Sequence, residues 1–246
     1  MPDTVTNSPL GGVVKVARLF RAVTDSMRYA ILARYFKGLA AFALLFGGVF
    51  FQSGGAMAAE PIRILALGDS LTSGYGLDID DGFPSQLQKK LIAMGFAVRV
   101  LNSGVSGDTS AGGLARLDWA LADKPTHAII ELGANDGLRG LDPSAMRSNL
   151  DTIIRRLKGA GVAVLFTGMR APPNLGRSYE TAFNKVFPEL AKKHDVVFYP
   201  FFLSGVVAQP ALNLQDGMHP NRDGIAAIVD RIVPYVVRLL KKRTQG

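Results

Sequence analysis

Past residue 60 the sequence predicts an α/β domain of three layers, α/β/α, around a five-stranded parallel sheet. Three observations lead there. Short runs rich in Val, Ile, Leu or Phe recur along the chain, segments with apolar residues at helical spacing separate them, and the βαβαβαβαβα alternation never breaks. Right-handed crossovers between parallel strands then place helices on both faces of the sheet.

The strand runs are residues 62–67, 97–101, 128–132, 162–167 and 196–199, and their near-continuous apolar character is that of strands buried on both sides. Asp142-Pro143 reads as an N-cap followed by proline at the first helical position, leading into Leu150, Ile153, Ile154 and Leu157. Tyr179, Phe183, Phe187 and Leu190 repeat every three or four residues and mark the next helix. Ile225, Ile228, Val229, Ile232, Val236, Leu239 and Leu240 mark the last, which Pro234 is expected to bend or end early. No internal repeat, low-complexity tract or second domain boundary interrupts this pattern.

The first 58 residues are of a different kind. They hold Lys15, Arg18, Arg21, Arg28, Arg34 and Lys37 against Asp3 and Asp25, and residues 39–51 are then uncharged and apolar. Ala56 and Ala58 fit an A-x-A cleavage pattern, and the 13-residue apolar run is shorter than the roughly 20 residues a transmembrane helix needs. We therefore expect residues 1–58 to be an N-terminal extension with a secretory signal, cleaved near Ala58/Ala59 to release residues 59–246 to the periplasm or medium with no membrane span. Met27 would open a signal of more ordinary size and is the expected start of translation. Without residues 1–58 the count becomes 22 Lys/Arg and 18 Asp/Glu, a net charge near +4 rather than +8. The remaining basic residues are scattered, as on solvated helix faces, so no nucleic-acid partner is expected. The absence of cysteine removes disulfides, thiolate chemistry and Cys-ligated zinc together.

Four segments follow the apolar runs: Gly68-Asp69-Ser70-Leu71, Gly104-Val105-Ser106-Gly107-Asp108, Gly133-Ala134-Asn135-Asp136 and Asp216-Gly217-Met218-His219-Pro220. In open α/β sheets the ligand crevice lies beyond the carboxyl ends of the strands, so all four should share one rim. A serine hydroxyl needs a base to take its proton during acyl transfer. Of the three histidines, His127 opens the third strand and His194 ends a helix, both at the opposite edge, which leaves His219. Asp216, three residues upstream in a glycine-containing turn, can hold the imidazole from its other side. The N–H groups of Ser70 and Gly107 and the Asn135 amide can face a developing oxyanion. Each feature alone is ordinary turn chemistry; together at one edge they point to a serine hydrolase whose rate falls as pH drops through roughly 6–7, where imidazole protonates.

These blocks, in this order and spacing over roughly residues 62–240, resemble the Ser, Gly, Asn and His blocks of the GDSL/SGNH hydrolase family. The strings from Asn102 to Thr109 and from Pro200 to Phe202, with residues 216–223, are similar to the branch of bacterial acyl-CoA thioesterase I/lysophospholipases and periplasmic arylesterases. The resemblance implies a flavodoxin-like sheet of order 2-1-3-4-5, Ser70 as nucleophile, Asp216 and His219 completing the triad, Gly107 and Asn135 in the oxyanion hole, and no metal or organic cofactor. Met218 stands where Ile or Val is common, an apolar exchange that touches pocket shape.

Rival assignments have less support. No serine lies in a G-x-S-x-G context, and neither a P-loop nor a helix-opening G-x-G-x-x-G is present. Asp216 and His219 alone are too few for a metal centre. An envelope polysaccharide deacetylase or acyltransferase would use the same residues, but the single Trp, Trp119, is expected on a buried helix face and unavailable for stacking on sugars. A non-catalytic exported binding protein would not require a complete triad. The apolar, proline-rich segment 169–176 follows the fourth strand, and Met169, Pro172, Pro173 and Leu175 are expected to wall the pocket for a small-molecule or lipid ester.

Overall fold

The structure, a computed structural model, describes residues 60–243. The chain runs β1 (Ile62–Gly68), α1 (Ser70–Ser73), α2 (Phe83–Ala93), β2 (Val98–Gly104), α3 (Ser110–Ala115), α4 (Leu117–Leu121), β3 (His127–Glu131), α5 (Ala134–Leu138), α6 (Pro143–Gly159), β4 (Ala163–Thr167), α7 (Arg177–His194), β5 (Val197–Tyr199) and α8 (Arg222–Arg243). All strand pairs are parallel and the order is β2-β1-β3-β4-β5, as the family resemblance implies. Helices α2 and α8 pack together, as do α6 and α7, and these pairs flank the sheet. The expected signal segment, residues 1–58, lies outside the described residues.

Burial explains why the central strands were legible. Every residue of β3 is buried, and β1 is buried from Ile64 onward, so β-branched and aliphatic residues there meet helices on both sides. Strand β2, at the edge of the sheet as the order implies, departs from the burial expected of it, with Arg99 and Asn102 exposed, and it extends to Gly104. Asp142 caps α6 by accepting the Ser144 N–H at 2.9 Å, with Pro143 at the first position.

One expectation is narrowed and another fails. Of the two outcomes expected at Pro234, the early end does not occur: helix α8 continues to Arg243. Pro234 is exposed while Ile232, Val233 and Val236 are buried, so the apolar face holds the helix across the hydrogen bond that proline cannot make. Trp119 is not on a buried face but 69% exposed. Helix α4 has only five residues, and its inward positions are taken by Leu117 and Ala120.

Candidate active site

The carboxyl ends of β1, β2 and β3 and the turn before α8 meet at one rim. At the end of β1, Asp69 caps α1, its Oδ1 accepting the Leu71 N–H at 3.0 Å. Capping is therefore done by Asp69, and the neighbouring Ser70 hydroxyl is left for another partner. That partner is His219, whose Nε2 lies 3.0 Å from Ser70 Oγ. Its Nδ1 is 2.7 Å from Asp216 Oδ2. Asp216 is itself fixed by its turn, because Oδ1 accepts the N–H groups of Met218 at 2.9 Å and His219 at 3.0 Å, with Gly217 at φ +68° between them. Those donors, the His219 N–H first and then that of Met218 and the ring, hold the Asp216 carboxyl down at about 2. With an anion at Nδ1 the ring's proton belongs there, leaving Nε2 as the acceptor that faces the serine.

Gly107 follows β2 in a tight turn with φ +85°. An added Cβ would meet only Arg139 Nη2, at 3.6 Å, so the backbone conformation and not lack of space selects glycine here. Among the described residues the N–H groups of Ser70 and Gly107 form no hydrogen bond. The Asn135 amide, at the end of β3, is brought to the same place and donates to Asp69 Oδ2 at 3.1 Å and to the Asp108 carbonyl at 2.9 Å. The other two histidines lie elsewhere. His127 is buried at the start of β3, and His194 closes α7 with Nε2 2.8 Å from Asp151.

Several contributors carried no sequence signal strong enough to single them out. The Tyr75 ring lies against His219, with centroids 4.5 Å apart. Arg139 donates to the Gly107 carbonyl at 2.8 Å, bracing that turn. Arg116 binds the Gly68 carbonyl at 2.9 Å, Ser103 Oγ at 2.8 Å and Asp108 Oδ2 at 2.6 Å, tying the ends of β1 and β2 together. Beneath Ser70, Glu131 accepts from Thr72 Oγ1 at 2.8 Å and from the Asp69 N–H at 3.3 Å. Gly68 makes room for that pair: a Cβ there would come within 2.0 Å of Thr72 Oγ1 and 2.6 Å of Glu131 Oε2.

A cavity of about 590 Å³ opens beside Ser70 and His219. Its walls are mainly apolar, from Leu138, Met169, Phe201, Leu203 and Val207, with Pro172 and Pro173 alongside. Leu175 does not line it; a short 3-10 turn, Pro173–Leu175, carries that side chain away beside Gly140. Arg170 lies at the cavity with its guanidinium 4.7 Å from the Phe201 ring centre. Trp119 is not among the lining residues, so its exposure adds no stacking platform to the cavity. Among the described residues no group of three or more His, Cys, Asp or Glu could hold a metal ion, and no helix is long and apolar enough to cross a membrane.

The chain resembles known proteins in sequence and in fold. The model of the GDSL-like Lipase/Acylhydrolase family matches residues 66–227. An arylesterase of Vibrio mimicus is 39% identical over 192 residues, covering 78% of this chain and 95% of the arylesterase. A thioesterase 1/protease 1/lysophospholipase L1 of Escherichia coli K12 is 40% identical over 174 residues, covering 70% of this chain and 82% of that protein. A crystal structure of TesA superposes with a TM-score of 0.69 at 39% identity, covering 72% of this chain and 99% of the other.

Proposed function

The chain belongs to the GDSL-like lipase/acylhydrolase family, and on that basis we propose that it hydrolyses carboxylic esters and thioesters through Ser70, His219 and Asp216. The observation that carries the proposal is the continuous relay from Asp216 Oδ2, 2.7 Å from His219 Nδ1, to Nε2, 3.0 Å from Ser70 Oγ. In the first step His219 Nε2 takes the Ser70 proton as Oγ attacks the acyl carbon. The imidazolium is stabilised by Asp216, with the Tyr75 ring tilted against it, while the oxyanion is met by the N–H groups of Ser70 and Gly107 and by the Asn135 amide, which gives up its bond to the Asp108 carbonyl to do so. Collapse returns the proton to the departing oxygen or sulfur and leaves an acyl-serine. Water, activated by the same imidazole, then releases the acid.

The apolar cavity wall supports an acyl or aryl ester as substrate rather than a polysaccharide. The arylesterase and lysophospholipase relatives favour diffusible short esters or lysophospholipids. If residues 1–58 are a cleaved leader, as their composition predicts, such substrates would be met outside the cytoplasm; N-terminal sequencing of the mature protein tests the cut near Ala58/Ala59. The decisive experiment assays nitrophenyl esters from acetyl to palmitoyl, a lysophospholipid and an acyl-CoA with the protein and its Ser70→Ala variant, beside labelling by a fluorophosphonate. Turnover that survives Ser70→Ala would refute the assignment.

A further inference from the structure

Two carboxyl groups are buried beneath the nucleophile turn, and the hydrolytic steps use neither. Asp69 and Glu131 are both 0% exposed, contributed by the end of β1 and the end of β3. Two adjacent buried carboxyls cannot both ionise without strong repulsion. Their donors divide unequally. Each oxygen of Asp69 has one: the Leu71 N–H at 3.0 Å on Oδ1 and the Asn135 amide at 3.1 Å on Oδ2. Glu131 receives two, the Thr72 hydroxyl and the Asp69 N–H, but both fall on Oε2. Its Oε1 is buried with no hydrogen-bond partner. An anion on Glu131 would leave a charged oxygen bare, whereas an anion on Asp69 has a donor at each end and accepts from the carboxylic acid of Glu131 beside it.

We propose that Glu131 is a positioning residue that stays an uncharged carboxylic acid, so that the pair's single negative charge sits on Asp69 and fixes the Asn135 amide at the cavity. The charge is placed to act on both halves of the site. It orients the Asn135 amide, a donor of the oxyanion site, and as a negative charge near His219 it favours the imidazolium formed during attack. Burial, reinforced by the Asp69 charge, raises the Glu131 carboxyl well above the usual range, while Asp69, raised by burial to about 6, is the first of the two to ionise. Besides these two, the charged groups gathered around the turn are His219, Arg116 on the Gly68 carbonyl and Asp108 paired with Arg116. Below about pH 6 Asp69 takes up a proton and its charge no longer holds the Asn135 amide, so activity falls with a second acid ionisation, that of Asp69.

The inference rests on Asn135 serving the oxyanion site, and its test separates the two ideas. Infrared spectra of the full-length protein at neutral pH should contain a protonated-carboxyl C=O stretch that disappears in Glu131→Gln. Glutamine presents a carbonyl to Thr72 and the Asp69 N–H and an N–H where the acid carries its hydroxyl. Glu131→Gln should therefore keep kcat within about threefold, whereas Glu131→Ala loses about tenfold or more in kcat at little-changed KM. The second acid ionisation should persist in Glu131→Gln and vanish in Asp69→Asn. The proposal is overturned if the wild-type band is absent, if Glu131→Gln fails to fold or is as impaired as Glu131→Ala, or if Glu131→Gln moves the second ionisation downward, as loss of a neighbouring anion would. Activity surviving Ser70→Ala sinks the triad instead, while the infrared result still reports on Glu131.

Discussion

Asp216→Asn is the sharpest perturbation of the relay because the turn dictates which way the new amide points. Two backbone donors converge on Oδ1, from Met218 at 2.9 Å and His219 at 3.0 Å. An asparagine keeps both by placing its carbonyl oxygen there, which forces its NH2 into the position of Oδ2, 2.7 Å from His219 Nδ1. A donor facing Nδ1 drives the ring proton to Nε2, and Nε2 then meets the Ser70 hydroxyl as a donor and cannot accept its proton. The fold is untouched and the base is in the wrong tautomer. In another Ser-His-Asp enzyme the equivalent exchange lowers kcat about 10⁴-fold, and the same order is expected here with KM nearly unchanged. Asp216→Ala should also lose at least ~10³-fold, and it additionally loses the turn's side-chain acceptor, so its melting temperature should fall while that of Asp216→Asn does not. Steady-state kinetics on a nitrophenyl ester and thermal melts of both variants decide the matter. An Asp216→Asn enzyme within tenfold of wild type would refute the tautomer argument.

Three further outcomes can be checked directly. Asn135→Ala should lower kcat by about 10²–10³-fold with little effect on KM, as removal of one oxyanion donor does elsewhere; an unchanged kcat would remove Asn135 from the site. At Gly107 the φ of +85° and not the space for a Cβ is limiting, so Gly107→Ala should destabilise by about 1–2 kcal/mol and Gly107→Asn by less, measured by urea titration. Asp151 links α6 to the end of α7 through Lys193 at 2.6 Å and His194 at 2.8 Å, and within α6 it also pairs with Arg155 at 3.1 Å. Burial opposes its ionisation, but those three partners prevail and bring its carboxyl down to about 2 from 3.8. Its contribution is thus complete above about 3.8 and lost as pH falls through about 2: Asp151→Ala should cost about 1–2 kcal/mol at neutral pH, and the gap from wild type should close on acidification.

What the sequence disclosed and what it withheld follow from the range of the forces involved. Strands β1, β3 and β4 are apolar because both faces are covered, and that burial is written residue by residue along the chain. The Asp142-Pro143 helix start is equally local. Trp119 was misplaced because a five-residue helix makes too few turns for spacing to define a face. Pro234 does not end its helix because the apolar stripe beyond it, Val236, Leu239 and Leu240, outweighs one missing hydrogen bond. Arg139 and Tyr75 act across loops, on partners 32 and 144 positions away in the chain, so nothing near either residue announces it. Glu131 did leave a trace: it is the one acid in an otherwise apolar run, at the end of a strand buried throughout, where a charge without a purpose would be expensive.

The division of labour between strand ends and loops has a consequence for how the site can change. Ser70 and Asn135 sit in the short helices that follow β1 and β3 and Gly107 in the turn after β2, and Arg116 and Arg139 brace the first and second of these strand ends through the Gly68 and Gly107 carbonyls. Apart from Leu138 on α5, the main apolar wall of the cavity comes instead from segments beyond β4 and β5, at Met169–Pro173 and Phe201–Val207. These loops touch neither the Asp216 acceptor nor the Asp69–Glu131 pair through any side-chain hydrogen bond described above. Substitutions in the wall can therefore reshape acyl-chain preference while leaving the relay's distances intact, whereas a change beneath Ser70 alters the chemistry for every ester alike. A larger side chain at Leu203 should shift the nitrophenyl ester optimum toward shorter acyl chains without changing kcat on acetate; a uniform loss across the series would mean that wall and relay are mechanically coupled.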